Sequence, residues 1–288
     1  MKALLSKKVI AGAAAALSLF ASAGASASTY NQFEIKEPTR STAFQADRII
    51  GGYTEVITFN PTDPLNPLAG GTFDVSLKWS ASAFFNGGPN AVPSLLNAFE
   101  NPNGYGLYAL YTASGTFSGN GTQTTFNFTQ GSGGLTVYMD LDQNTVFTNP
   151  GDGTQAFGRT GISDDIILAT GQALSGSGTL DLAKKECPVG NPGDGGINCG
   201  SFGSTTGFDL YDNATGLDGK DYFVAPNPFY NLSFQSGQLN RFSPTGTVVI
   251  DGSMDVVFGE VPEPASLGLL GLGLLGLGAA GKRRKQAK

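Results

Sequence analysis

Phe73, Val75, Leu77 and Trp79 are apolar, and Asp74, Ser76 and Lys78 between them are polar. A strand turns successive side chains to opposite faces, so this strict alternation fits a half-buried β-strand and no helix. Leu135, Val137, Met139 and Leu141 repeat the pattern against Thr136, Tyr138 and Asp140. Residues 53–59, 107–117, 122–129, 247–250 and 253–258 read as further strands. The Gly-rich stretches at 119–121 and 131–134, and Asp251-Gly252, supply turn chemistry between them. The spacing leaves room for one short helix, over 93–99. No repeat of fixed period and no linker divides the body. Residues 28–260 are therefore expected to form one all-β domain, an antiparallel β-sandwich-like body.

The two ends have a different character. Lys2, Lys7 and Lys8 precede an apolar run over 9–20, and Ala25-Ser26-Ala27 offers a small-residue cleavage site. Residues 1–27 thus read as a secretory signal helix, cut between Ala27 and Ser28. At the far end Pro262, Glu263 and Pro264 interrupt regular structure. Ala265 then opens, and Gly281 closes, an apolar stretch made only of Ala, Ser, Leu and Gly. As a helix its 17 residues rise about 25 Å, marginal against a hydrocarbon core of about 30 Å. Lys282, Arg283, Arg284 and Lys285 follow and hold their end in the cytoplasm. Gly271, Gly273 and Gly276 match a dinucleotide fingerprint in spacing alone. No strand precedes them and no acidic residue follows at the required distance, so they belong to the membrane segment.

A Pro-Glu-Pro motif, a short Gly/Leu helix and a terminal basic run, in that order over 261–288, resemble the PEP-CTERM sorting signal of Gram-negative bacteria that make exopolysaccharide. The resemblance implies an exosortase, a membrane transpeptidase that cuts near the motif. The membrane then holds the chain only during sorting, as with other hydrophobic tails that serve as removable addresses. A permanent single-span anchor is the simpler alternative.

Charge and composition narrow the function of the body. Nine basic residues stand against 22 acidic ones over 28–260, a net charge of −13 that the basic ends reduce to −6 in the full chain. Such a surface repels phosphate backbones, so nucleic acid is excluded as a partner. The chain has no histidine, which removes Ser-His-Asp and Cys-His catalysis and His-ligated zinc.

Cys187 and Cys199 enclose a loop without periodicity, and in an exported protein they are expected to pair as a disulfide. Asp140, Asp142 and Asn144 place oxygen ligands at alternate positions, like the opening of an EF-hand loop. The pattern then breaks, with Thr145 where glycine is required and Gly151 where the bidentate Glu belongs. Asp152, Asp164 or Asp165 could complete a calcium site. Glycoside hydrolysis needs a pair of carboxylates and no histidine. Asp164 and Asp165 are adjacent and on a strand would face opposite ways. Aromatic residues are frequent, and Phe229-Tyr230 is the pair most expected at the surface.

Segments 44–55, 73–79, 105–110 and 252–258 are similar to those of flocculation-associated PEP-CTERM proteins. The likeness implies an exported protein that holds cells together in flocs within exopolysaccharide, without catalytic residues of its own. Two other classes compete with that expectation: a secreted polysaccharide hydrolase and a calcium-dependent adhesin. The expected location is the medium or the cell surface and its matrix.

Overall fold

The computed structural model describes residues 30–181, 199–214, 216–236 and 244–259. The signal at 1–27, the sorting region at 261–288 and Cys187 lie outside the described residues. Among the described residues, no helix is long and apolar enough to cross a membrane.

The alternating segments all form strands. In chain order they are β1 (Phe33–Ile35), β2 (Phe44–Ala46), β3 (Arg48–Pro61), β4 (Gly70–Phe85), β5 (Gly106–Gly119), β6 (Gln123–Phe128) and β7 (Gly134–Asp140). Then follow β8 (Val146–Thr148), β9 (Gly158–Thr160), β10 (Asp165–Gly171), β11 (Ala173–Asp181), β12 (Gly200–Thr206) and β13 (Asp209–Leu210). A four-residue helix, α1 (Gly219–Tyr222), precedes β14 (Phe223–Ala225), β15 (Asn231–Ser236) and β16 (Gly246–Gly259).

Antiparallel pairing carries β3 to β4, β4 to β5, β5 to β6, β6 to β11, β11 to β12, β12 to β15 and β15 to β16. β16 then pairs with β3 from Gly246↔Phe59 to Val257↔Arg48. Eight strands thus close into a barrel. The body is all-β and antiparallel as expected, but its sheet curves shut where a sandwich would stack two sheets. Closure leaves the ring no free edge to aggregate.

β7 continues along the edge of β5 that β6 begins: Gly115 faces Phe128, and Thr112 faces Gly134. The intervening 129–133 stretch is a bulge, pinned where Ser132 Oγ donates to Thr129 O and accepts from Ser114 N. Gly133 lies there at φ +64°, and a Cβ would sit 1.9 Å from Thr112 O. The glycine run at 131–134 therefore bends a long strand without ending it. β10 and β13 extend β11 and β12 in the same way.

Inward positions carry the core, including Ile49, Tyr53, Phe59, Phe73, Leu77, Trp79, Tyr111 and Phe234. Glu55 occupies the same inward register. One barrel end is capped by the sheet β14-β1-β2, by α1 and by an aromatic cluster in which Phe33 and Phe223 pack on Phe258. Two expectations are corrected here. Residues 93–99 form turns and an isolated bridge, not a helix. Asp251 and Gly252 lie inside β16, because Gly252 faces the Tyr53 ring, where a Cβ would be 2.7 Å away.

Candidate functional site

Two groups of side chains at the capped end bear on function. The first is a groove of about 350 Å³ beside β13, α1 and the loop after β14. Phe208, Phe223 and Phe229 form its floor with ring centroids 5.1–5.7 Å apart. Pro226 and Pro228, each after a cis peptide bond, carry the chain along one wall. Exposed Asp209, Lys220 and Asn227 supply its polar groups. Lys220 Nζ reaches Asp212 Oδ2 at 2.6 Å. Asp218 caps α1, accepting from Asp221 N at 2.9 Å and from Asn213 N at 2.7 Å, and so fixes where Lys220 stands.

The sequence singled out Phe229-Tyr230 as an exposed pair. Both are only half-buried, and Phe229 packs on Phe258 at 5.1 Å as part of the groove floor. Flanking prolines signalled a surface turn, but the aromatic cluster draws the ring back onto the cap.

The second group is acidic. Asp140, Asp164 and Asp165 bring one carboxylate oxygen each within 4.8 Å of the others. Asp164 ends the turn before β10, so it and Asp165 converge instead of facing opposite ways. Asp142 and Asn144 are exposed and enter the cluster through their backbones. Asp142 N donates to Asp164 Oδ2 at 2.7 Å, and Asn144 N to Asp140 Oδ1 at 3.2 Å. Asp152 makes its own turn with Thr154.

Asp165 is already engaged. Tyr108 Oη and Arg159 Nη1 donate to its Oδ2, and Thr145 Oγ1 to its Oδ1. The Arg159 guanidinium lies 4.1 Å from the Tyr138 ring centroid, and Tyr138 stacks on Tyr108. Burial, followed by the bond to Asp165, pushes the Tyr108 hydroxyl well above its ordinary range. The arrangement clasps the 141–164 excursion onto the barrel wall. Sequence reading missed Arg159, whose only signal was a lone cation in an acidic stretch.

Cys199 is fully buried just before β12, and its carbonyl accepts from Asp181 N at 2.7 Å.

Residues 260–285 match the PEP-CTERM protein-sorting motif, the stretch that holds Pro262, Glu263, Pro264 and the basic run from 282 to 285. The motif indicates an exported protein sorted by an exosortase and processed at the membrane, with its place in the envelope or outside the cell. No curated protein and no solved structure matches the chain.

Proposed function

We propose that this barrel is a surface or matrix protein that promotes cell aggregation by contacting exopolysaccharide, without catalysis of its own. The observation that carries the reading is the groove: Phe208 and Phe223 are buried beneath it, the half-buried Phe229 ring offers an apolar face to a sugar, and Asp209, Asn227 and Lys220 offer hydrogen bonds around it. Asp209 is the one carboxylate among the groove's described residues. Glycoside hydrolysis needs two, which favours contact over cleavage and makes a secreted hydrolase the weaker reading. Exosortase release near the motif, signal cleavage before Ser28 and a Cys187–Cys199 disulfide complete the proposed mature form.

The test is retention of the purified body on exopolysaccharide from a flocculating strain, beside deletion of the gene. The account expects loss of flocs with polysaccharide still made. It also expects about thirtyfold weaker retention for the double variant Asp209→Ala, Asn227→Ala, each lost hydrogen bond being worth about 1 kcal/mol. Unchanged flocs and unchanged retention would sink it. A calcium-bridged adhesin is the second reading, favoured by the convergence of Asp140, Asp164 and Asp165. The same retention measured with a chelator decides it: loss supports a bridging cation, and indifference removes it.

A further inference from the structure

The barrel lumen holds a carboxylate with nothing to neutralise it. Glu55 is 4% exposed on the inward face of β3. Among the described residues its side chain accepts no hydrogen bond and meets no cation. It lines a partly open cavity of about 30 Å³ with Ile57 and five phenylalanines, Phe59, Phe73, Phe126, Phe128 and Phe202, of which Phe128 and Phe202 are half-buried at its mouth. Those rings pack edge-on or tilted, with Phe73 to Phe126 at 5.9 Å and Phe73 to Phe128 at 5.3 Å. A barrel core normally resolves such a position with an apolar side chain. Here an acidic group faces a hollow between the rings.

A space of this size takes one or two non-hydrogen atoms. A carboxylate in an aromatic enclosure attracts cations twice over, through its own charge and through the negative ring faces. A divalent ion would need several further oxygen ligands, and phenyl rings offer none. We propose that this cavity is a binding site for a small monovalent cation of the ammonium class, with Glu55 as its counter-charge and the phenylalanine rings as its walls. The site is separate from the groove and independent of it.

Proton and cation compete for Glu55. Burial pushes its carboxyl up to about 8, so near neutral pH the cation enters as the Glu55 proton leaves, and the net charge of the site is unchanged. The titratable groups that face it from the surrounding strands are the hydroxyls of Tyr53 on β3 and Tyr111 on β5. Burial raises both, and the Glu55 charge raises them further. Tyr111 shares its hydroxyl with Ser204 Oγ at 3.1 Å. No charged side chain besides Glu55 lines the cavity among the described residues.

The experiment is a thermal-midpoint titration of the purified protein with methylammonium chloride at constant ionic strength, from about pH 6 to about pH 9. Sodium chloride and tetramethylammonium chloride serve as controls, the latter too large for the cavity. The expected result is a saturable rise with methylammonium alone. Its apparent affinity should tighten about tenfold per pH unit until about pH 8 and level off above. Glu55→Gln, which keeps the shape and removes the charge, should abolish the rise. The pH slope in the unmodified protein needs no variant and tests the same point. No rise, a rise shared with sodium or tetramethylammonium, or a rise that survives Glu55→Gln overturns the proposal.

Discussion

Replacing Glu55 with glutamine is expected to flatten the pH dependence of stability between about pH 4.5 and pH 8, and to leave the variant more stable than the parent at pH 8. In the folded barrel desolvation holds the Glu55 carboxyl near 8 against an ordinary 4.5. Across that window the folded chain keeps a proton that the unfolded chain has released. Stability is therefore greatest below about pH 4.5, falls as pH rises, and has lost the whole contribution by about pH 8. Each unit of displacement corresponds to about 1.4 kcal/mol, so the loss amounts to roughly 4–5 kcal/mol. That is comparable to the total stability of a modest domain. Urea unfolding at several pH values, in buffers free of ammonium-type cations, reads it directly. A variant with an unchanged slope, or one less stable than the parent at pH 8, would contradict the assignment.

The second large effect belongs to Glu37. It is 1% exposed, and its Oε1 accepts from Leu95 N at 2.6 Å and from Tyr105 Oη at 3.1 Å. Tyr105 and Tyr222 share a hydrogen bond at 2.8 Å, and Arg40 Nε reaches Glu37 Oε2 at 2.8 Å. One carboxylate thus ties together the segment after β1, two points of the loop between β4 and β5, and α1. Glu37→Ala leaves a buried amide and a buried phenol pair without their acceptor, and should cost about 3–5 kcal/mol in urea unfolding. Arg40→Ala is the contrast. Its side chain is 38% exposed, so its loss should cost at most about 1 kcal/mol. Equal costs for the two variants would mean that the network does not hold the cap.

The strands were legible because alternation is a local signal. Residues 73–79 and 135–141 carry it without interruption, and both lie in strands where it predicts them except for Leu141, which falls one residue past β7 and is exposed. Closure was not legible. It depends on β16 meeting β3 across nearly the whole sequence, and no local pattern encodes that pairing. Gly252 misled for a related reason: a glycine after an aspartate reads as a turn, yet here it makes room for a tyrosine on the neighbouring strand. Glu55 could have been found. It stands on the inward register with Tyr53, Ile57 and Phe59, and an acidic residue in that series was the only mark of the lumen site. The groove was half legible, since Phe229 was singled out, but Phe208 and Phe223 reach it from separate segments through tertiary packing.

The central claim is an exported barrel trimmed at both ends. Intact mass measurement of the protein recovered from outside the cells tests it most directly. The account predicts a chain beginning at Ser28 and ending near Pro262-Glu263-Pro264, lighter by the two hydrogens of a Cys187–Cys199 bond. Recovery of the uncut 288-residue chain from the cytosol alone, with both thiols free, would contradict it.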